Sequence, residues 1–88
     1  TSDDTPSMDK LRELLIKEPE LALKETRAAL ARDPEGPDAA EQSSMVVKAL
    51  AGLGRFEEAR REAEAMVKKF PGTRWAEDVE RHVLTHPP

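Results

Sequence analysis

Apolar side chains recur at intervals of three or four residues along most of this chain, which is the spacing of one face of an α-helix. The pattern is clearest over residues 56–70, where a single apolar stripe consists of Phe56, Ala59, Ala63, Met66, Val67 and Phe70. The sequence contains neither alternating β-branched runs nor two-residue hairpin turns, which are the usual marks of strands. We therefore predict an all-α fold.

The same periodicity divides the chain into five predicted helices. They cover residues 8–17, 19–33, 39–53 and 56–70, and a fifth begins at residue 74 and frays before His86. The further faces that we expect to be buried are Met8, Leu11, Leu14 and Leu15; Ala22, Thr26, Ala29 and Leu30; Ser43, Val46, Val47 and Leu50; and Trp75, Ala76, Val79 and Val83. Residues 1–7 contain no aliphatic side chain. We therefore predict a disordered tail over 1–7 and one helical domain over 8–86.

Polar caps and helix breakers mark the ends of these helices. Ser7, Asp38 and Thr73 each stand directly before a predicted helix, where a side-chain oxygen can accept a hydrogen bond from the first turn. Pro19 ends the first helix and suits the first turn of the second, so we expect the two to meet in a tight corner. The strongest turn signal lies at residues 33–38, which hold two prolines and a glycine and separate the two halves of the chain.

An internal repeat relates the second helix to the fourth. Matching positions 37 residues apart are Ala22 and Ala59, Thr26 and Ala63, Ala29 and Met66, Leu30 and Val67, and Pro34 and Pro71. Small side chains at the first positions let neighbouring helices approach closely, larger apolar ones fill the space beyond, and proline ends the helix. We therefore expect two helical hairpins built on one template and closed by the fifth helix.

The second unit of this repeat resembles the tetratricopeptide repeat. The family's glycine, aromatic residue, two small residues and proline correspond in order and spacing to Gly54, Phe56, Ala59, Ala63 and Pro71. The first unit is degenerate and keeps only Ala22 and Pro34. The resemblance implies a short α-solenoid of two antiparallel helical hairpins with a C-terminal closing helix. It also implies a non-catalytic protein–protein interaction module, an adaptor or scaffold whose groove accepts a peptide or helix of a partner.

The same resemblance implies which residues bind the partner, because the first helix of each hairpin chiefly lines the groove in that family. The corresponding outward positions are Glu41, Ser44 and Lys48 on the third helix and Glu77 and Arg81 on the closing helix. A shift of one residue in the register of the closing helix would substitute Asp78 and His82. The ammonium group of Lys48 suits a partner carboxylate.

Residues 70–73, Phe-Pro-Gly-Thr, followed by Ala76, are also similar to repeats common in bacterial cell-envelope proteins, such as outer-membrane-assembly lipoproteins and coordinators of envelope constriction. This similarity implies a periplasmic or envelope-associated adaptor. Because the chain begins at Thr1 and not at methionine, we expect it to be a processed or excised segment of a longer chain. Its compartment therefore stays open.

The sequence also allows an alternative function, which is self-association. In that case the chain is the oligomerisation domain of a larger envelope-associated protein. It requires apolar side chains to remain exposed at the ends of the helical stack, and the candidates are Met8, Leu14 and Trp75. Both functions, peptide binding and homo-oligomer formation, remain open from the sequence.

Composition argues against several other classes of function. The chain has 88 residues, a net charge of −4 and no cysteine. This length allows one small domain, and the acidic balance does not favour binding to nucleic acid, which needs clustered positive surface. Disulfides and thiolate zinc sites are excluded. No apolar run reaches the roughly 18 residues that a membrane span needs.

Candidate catalytic and metal-binding residues are few. His82 and His86 have the spacing of two ligands on one helix face, but their helix is ending and no glutamate follows His82 as a metalloprotease helix requires. Ser43 and Ser44 have no histidine nearby in the sequence to activate a hydroxyl. We therefore predict no enzymatic activity, no metal and no cofactor.

Overall fold

Five helices form the protein in the computed structural model, which describes residues 7–84. The first four are α1 (Met8–Lys17), α2 (Pro19–Arg32), α3 (Ala39–Gly52) and α4 (Phe56–Lys69). The fifth, α5 (Arg74–Val79), continues directly into a π-helical turn over Glu80–Leu84. No strand occurs within the described residues, so the predicted all-α fold is confirmed. The predicted tail, apart from Ser7, and the predicted fraying before His86 lie outside the described residues.

Two of the three predicted N-caps are formed by their side chains. Ser7 Oγ accepts a hydrogen bond from the backbone N–H of Lys10 at 3.2 Å, and Thr73 Oγ1 accepts one from Ala76 at 3.1 Å. The prediction for Asp38 is wrong, because within the described residues its side chain makes no capping hydrogen bond. Asp38 has φ −99° and ψ 4°, which is a turn conformation, whereas a capping residue is typically extended.

A single residue, Glu18, connects α1 to α2. Its N–H donates to the carbonyl of Leu14 at 2.6 Å, and its own carbonyl accepts from the N–H of Ala22 at 2.9 Å. One residue therefore ends the first helix and begins the second, with Pro19 at the start of α2 as predicted. The chain leaves α3 through Gly54, whose φ of 80° is a conformation that residues with a Cβ rarely adopt.

Helix α3 is the centre of the fold because it packs against each of the other four helices. Nine of its fourteen residues are buried, and two of them, Val47 and Leu50, are inaccessible to solvent. The side of α3 that carries Glu41 and Lys48 lies between α1 and α5. The side that carries Ser43 lies between α2 and α4. The helices therefore form two layers, α1–α3–α5 and α2–α4.

Matching positions of the internal repeat have the same environment in α2 and α4. The small buried residues are Ala22 and Thr26 in α2 and Ala59 and Ala63 in α4. Their size lets both helices approach α3 closely. Thr26 differs from its counterpart Ala63 because its hydroxyl is buried without a hydrogen-bond partner among residues 7–84. Such a group costs about 1 kcal/mol or more of stability.

One residue of the predicted buried faces is exposed, and eight are only half-buried. Phe56 is 63% exposed, and one of the half-buried residues, Ser43, lines a cleft between α2 and α4. Phe56 is the first residue of α4. Periodicity assigns a residue to one side of its helix, but it does not show how far the neighbouring helices extend along that side.

Candidate functional site

Two ion pairs join neighbouring helices on the side of α3 that faces α1 and α5. Arg12 of α1 pairs with Glu41 of α3, and Lys48 of α3 pairs with Asp78 of α5. Glu41 and Lys48 are seven residues apart, so they lie on one side of α3 and are separated by about 10 Å along its axis. We refer to the surface formed by these four residues as the α1–α3–α5 face.

The ion pair between α1 and α3 has two hydrogen bonds. Arg12 Nε donates to Glu41 Oε2 at 2.7 Å, and a terminal nitrogen donates to Oε1 at 2.9 Å. The other terminal nitrogen donates to Asp9 at 2.9 Å. The hydrogen bond to Glu41 and the charge of its carboxylate raise the pKa of Arg12 above its ordinary value. Because the Glu41 side chain is only 11% exposed, this planar contact fixes the position of α1 on α3.

The predicted binding residues of α3 are more buried than the sequence pattern indicates. Ser44 is 1% exposed, and its hydroxyl donates to the carbonyl of Glu41 at 2.7 Å. The prediction that Ser44 faces an open groove is therefore wrong, and the carboxylate of Glu41 is already bound by Arg12. The reason is that α1 packs across this end of α3. Lys48 remains accessible, with a side chain that is 40% exposed.

Asp78, a half-buried residue of α5, forms an ion pair with Lys48 of α3. Its Oδ2 lies 2.7 Å from Lys48 Nζ, and its Oδ1 lies 3.1 Å from His82 Nε2. The hydrogen bond from Lys48 lowers the pKa of Asp78, helped by the charges of Lys48, His82 and Arg81 and opposed by burial. The carboxylate of Asp78 is therefore held in its ionised form by the basic groups around it.

The two residues predicted to point outwards on the closing helix, Glu77 and Arg81, are exposed and line a shallow depression. It has a volume of about 320 Å³ and is also lined by Arg74, Trp75 and Asp78. The Arg74 guanidinium lies 5.0 Å from the centre of the Trp75 ring, within cation–π range. We call this feature the Trp75 depression. It adjoins the α1–α3–α5 face because Asp78 belongs to both.

Of the three residues expected to drive self-association at the ends of the stack, one is buried and two are half-buried. Leu14 is buried, and Met8 and Trp75 are half-buried. The expected exposure is therefore wrong for Leu14, whereas Met8 and Trp75 keep part of their surface accessible. Among the described residues, the large apolar side chains that are exposed are instead Ile16, Leu21 and Phe56.

Residues 7–84 contain neither a metal-binding cluster nor a membrane-spanning helix. Within residues 7–84, no group of three or more His, Asp or Glu side chains is arranged to hold a metal ion. His82 pairs with Asp78, and His86 lies outside the described residues. No helix in the described part of the chain is both long enough and apolar enough to cross a membrane. The accessible groups of the site are the exposed parts of Arg12 and Lys48 and the lining of the Trp75 depression.

Three residues of this site are not among the predicted binding residues: Arg12, Arg74 and Trp75. Arg12 is 29 residues from Glu41, so no local pattern connects them. Trp75 is predicted to face the core, and the structure leaves it half-buried beside Arg74. Its one sequence signal is its type, because tryptophan is enriched at binding hot spots.

The Lys48–Asp78 contact predicts a pH dependence of stability. The folded pKa of Asp78 lies below its ordinary value, so the pair stabilises the fold above the unfolded pKa of about 3.9 and is lost as the pH falls through the folded pKa. We expect Asp78→Asn to lower the free energy of unfolding by up to about 1 kcal/mol at neutral pH and to have little effect at about pH 2. Urea unfolding at both pH values measures this. Glu64→Gln, an exposed site on α4, is the control, and an Asp78→Asn effect of equal size at both pH values contradicts the prediction.

Comparison of the chain with protein-family models, curated proteins and solved structures finds no significant match. The resemblance to the tetratricopeptide repeat therefore remains a prediction from the sequence pattern. The function has to be inferred from the α1–α3–α5 face and the Trp75 depression.

Proposed function

We propose that this domain is a non-catalytic protein-interaction module, similar to a tetratricopeptide repeat domain, that binds a peptide segment of a partner on the α1–α3–α5 face. The Arg12–Glu41 and Lys48–Asp78 pairs support this proposal because each joins α3 to a neighbouring helix. A surface whose side chains are already held in place loses less conformational entropy when a peptide binds.

The Trp75 depression lies beside the Lys48–Asp78 pair, and this position is the main support for the proposal. Its volume of about 320 Å³ is enough for one large side chain. Trp75 contributes an aromatic surface, and the other lining residues are two arginines, Arg74 and Arg81, and two carboxylates, Glu77 and Asp78. A tryptophan next to arginines is the composition typical of a binding hot spot.

The charges of the depression indicate the chemistry of the peptide. Arg74 and Arg81 are the positive groups of the lining, and Glu77 and Asp78 are its carboxylates. An acidic group of the peptide is therefore best placed on the side of Arg74 and Arg81. Arginine binds carboxylates through two parallel hydrogen bonds. We therefore expect the partner segment to carry an apolar or aromatic side chain, which enters the depression, and an acidic residue close to it.

Selection from a random peptide library displayed on phage tests the proposal without knowledge of the natural partner. We expect the recovered peptides to share an acidic residue next to an apolar one. The Kd of a recovered peptide is then expected to rise about tenfold or more in Arg81→Glu, because the rim charge is reversed.

Arg61→Glu is the matched control because Arg61 is an exposed arginine of α4, outside the α1–α3–α5 face. This variant should bind the peptide as the wild type does. Circular dichroism of both variants establishes that they are folded. Recovery of no peptide, or equal binding of the peptides to both variants, contradicts the proposal.

A further inference from the structure

A second surface lies in the other layer of the protein, between α2 and α4. It is a cleft of about 450 Å³ with Ser43 of α3 among its lining residues. Leu30 and Phe70 contribute half-buried apolar surface to it, and Ala31 and Ala65 are exposed. The exposed alanines are short, so another backbone can approach both helices closely. We refer to this surface as the α2–α4 cleft.

Two ion pairs span the cleft from one helix to the other. Arg27 of α2 lies 3.6 Å from Glu62 of α4, and Glu35, just beyond α2, lies 3.6 Å from Lys69 of α4. Along the cleft, the α2 side therefore carries a positive charge followed by a negative one, Arg27 and then Glu35. The α4 side carries the opposite order, Glu62 and then Lys69. Four charges of alternating sign surround an apolar centre.

This alternation is complementary to itself. Suppose that two copies face each other across a two-fold axis that runs parallel to the cleft. A rotation of 180° about this axis places the α2 side of one copy over the α4 side of the other. Arg27 then faces Glu62 of the second copy, and Glu35 faces Lys69 of the second copy. All four pairings between copies are attractive, and two-fold pairing of the same patch is the commonest arrangement of homodimers.

We propose that two copies of this chain associate through their α2–α4 clefts. A partner surface of uniform charge would be repelled by two of the four charges, whereas a second copy matches all of them. The apolar centre supplies area to be buried, and the charges set the register of the two copies. This association leaves the α1–α3–α5 face of each copy accessible, so the dimer presents two such faces. A partner with two binding segments could occupy both faces and would bind with higher avidity.

Charge-reversed variants test the proposal by pairing with each other. Arg27→Glu makes both charges at that end of the cleft negative, and Glu62→Arg makes both positive. In sedimentation velocity from about 10 µM to about 1 mM, we expect the wild type to form a dimer and each variant alone to remain monomeric or to associate about tenfold more weakly. An equimolar mixture of the two variants should recover the dimer. A purely intramolecular role for the Arg27–Glu62 pair predicts no recovery on mixing.

A substitution in the apolar centre provides a second test. We expect Ala65→Glu to raise the Kd of the wild-type dimer about tenfold or more because it places a charge in the buried area. Ala28→Glu, at an exposed alanine of α2 outside the cleft, should leave the Kd unchanged. A wild type that stays monomeric up to about 1 mM, a mixture that does not associate, or equal dimerisation of Ala65→Glu and the wild type each overturns the proposal.

Discussion

Replacing Leu50 by alanine is expected to lower the free energy of unfolding by about 3 kcal/mol. Leu50 is inaccessible to solvent and lies in α3, the helix that contacts all the others. Its truncation removes apolar contacts and leaves a cavity that the surrounding helices fill only in part. A domain of this size is stabilised by roughly 5–10 kcal/mol in total, so this single change removes a large fraction.

Urea unfolding followed by circular dichroism measures the loss, and Leu21→Ala is the matched control. It makes the same chemical change at a leucine that is 37% exposed. Because Leu21 already contacts solvent, we expect its truncation to cost less than about 1 kcal/mol. Equal losses for the two variants would show that α3 is not the centre of the core.

Replacing Ala63 by leucine is expected to cost about 2 kcal/mol. Ala63 is inaccessible to solvent on the side of α4 that packs towards α3. The larger side chain has no space there, so α4 must move away from α3 or adopt a strained rotamer. The prediction therefore tests the small positions of the internal repeat, which allow the helices to pack closely.

Ala28→Leu is the control because Ala28 is exposed on α2, the helix that corresponds to α4 in the repeat. We expect this change to alter the free energy of unfolding by less than about 0.5 kcal/mol. Thermal unfolding of the two variants at one protein concentration compares them directly. If Ala63→Leu is as stable as Ala28→Leu, close packing at Ala63 is not required.

The boundaries of the helices could be predicted from the sequence because they depend on local signals. The predicted ends of the first four helices agree with the structure to within one residue. Pro19 begins α2, and Ser7 and Thr73 cap α1 and α5, because a hydroxyl close to an open first turn needs no distant partner. Asp38 has the same sequence signal and fails as a cap because the turn before α3 gives it another backbone conformation.

The arrangement of the site could be predicted only in part because it depends on contacts between distant residues. Lys48 is accessible as expected, but Ser44 is buried where α1 packs across α3. Glu77 is exposed as expected, but the contact between Asp78 and Lys48 joins residues 30 positions apart and has no local signal. A difference of one residue turns a helix by about 100°, and the helical pattern alone does not fix the rotation of a short closing helix to that accuracy.

The two proposed surfaces use different layers of the fold. The α1–α3–α5 face is held together by ion pairs between neighbouring helices and has a depression next to it. The α2–α4 cleft has its charges around an apolar centre. Substitutions in one layer are therefore expected to leave the other function intact. Peptide affinity per site should not change in Ala65→Glu, and dimer formation should not change in Arg81→Glu.

We expect the proposed partner peptide to bind on the α1–α3–α5 face at the Trp75 depression. Amide chemical-shift mapping by NMR during titration with a selected peptide tests it most directly. We predict that the largest shifts occur at Lys48, Trp75, Asp78 and Arg81, together with the indole N–H of Trp75. Largest shifts along α2 and α4, with these residues unchanged, would contradict the claim.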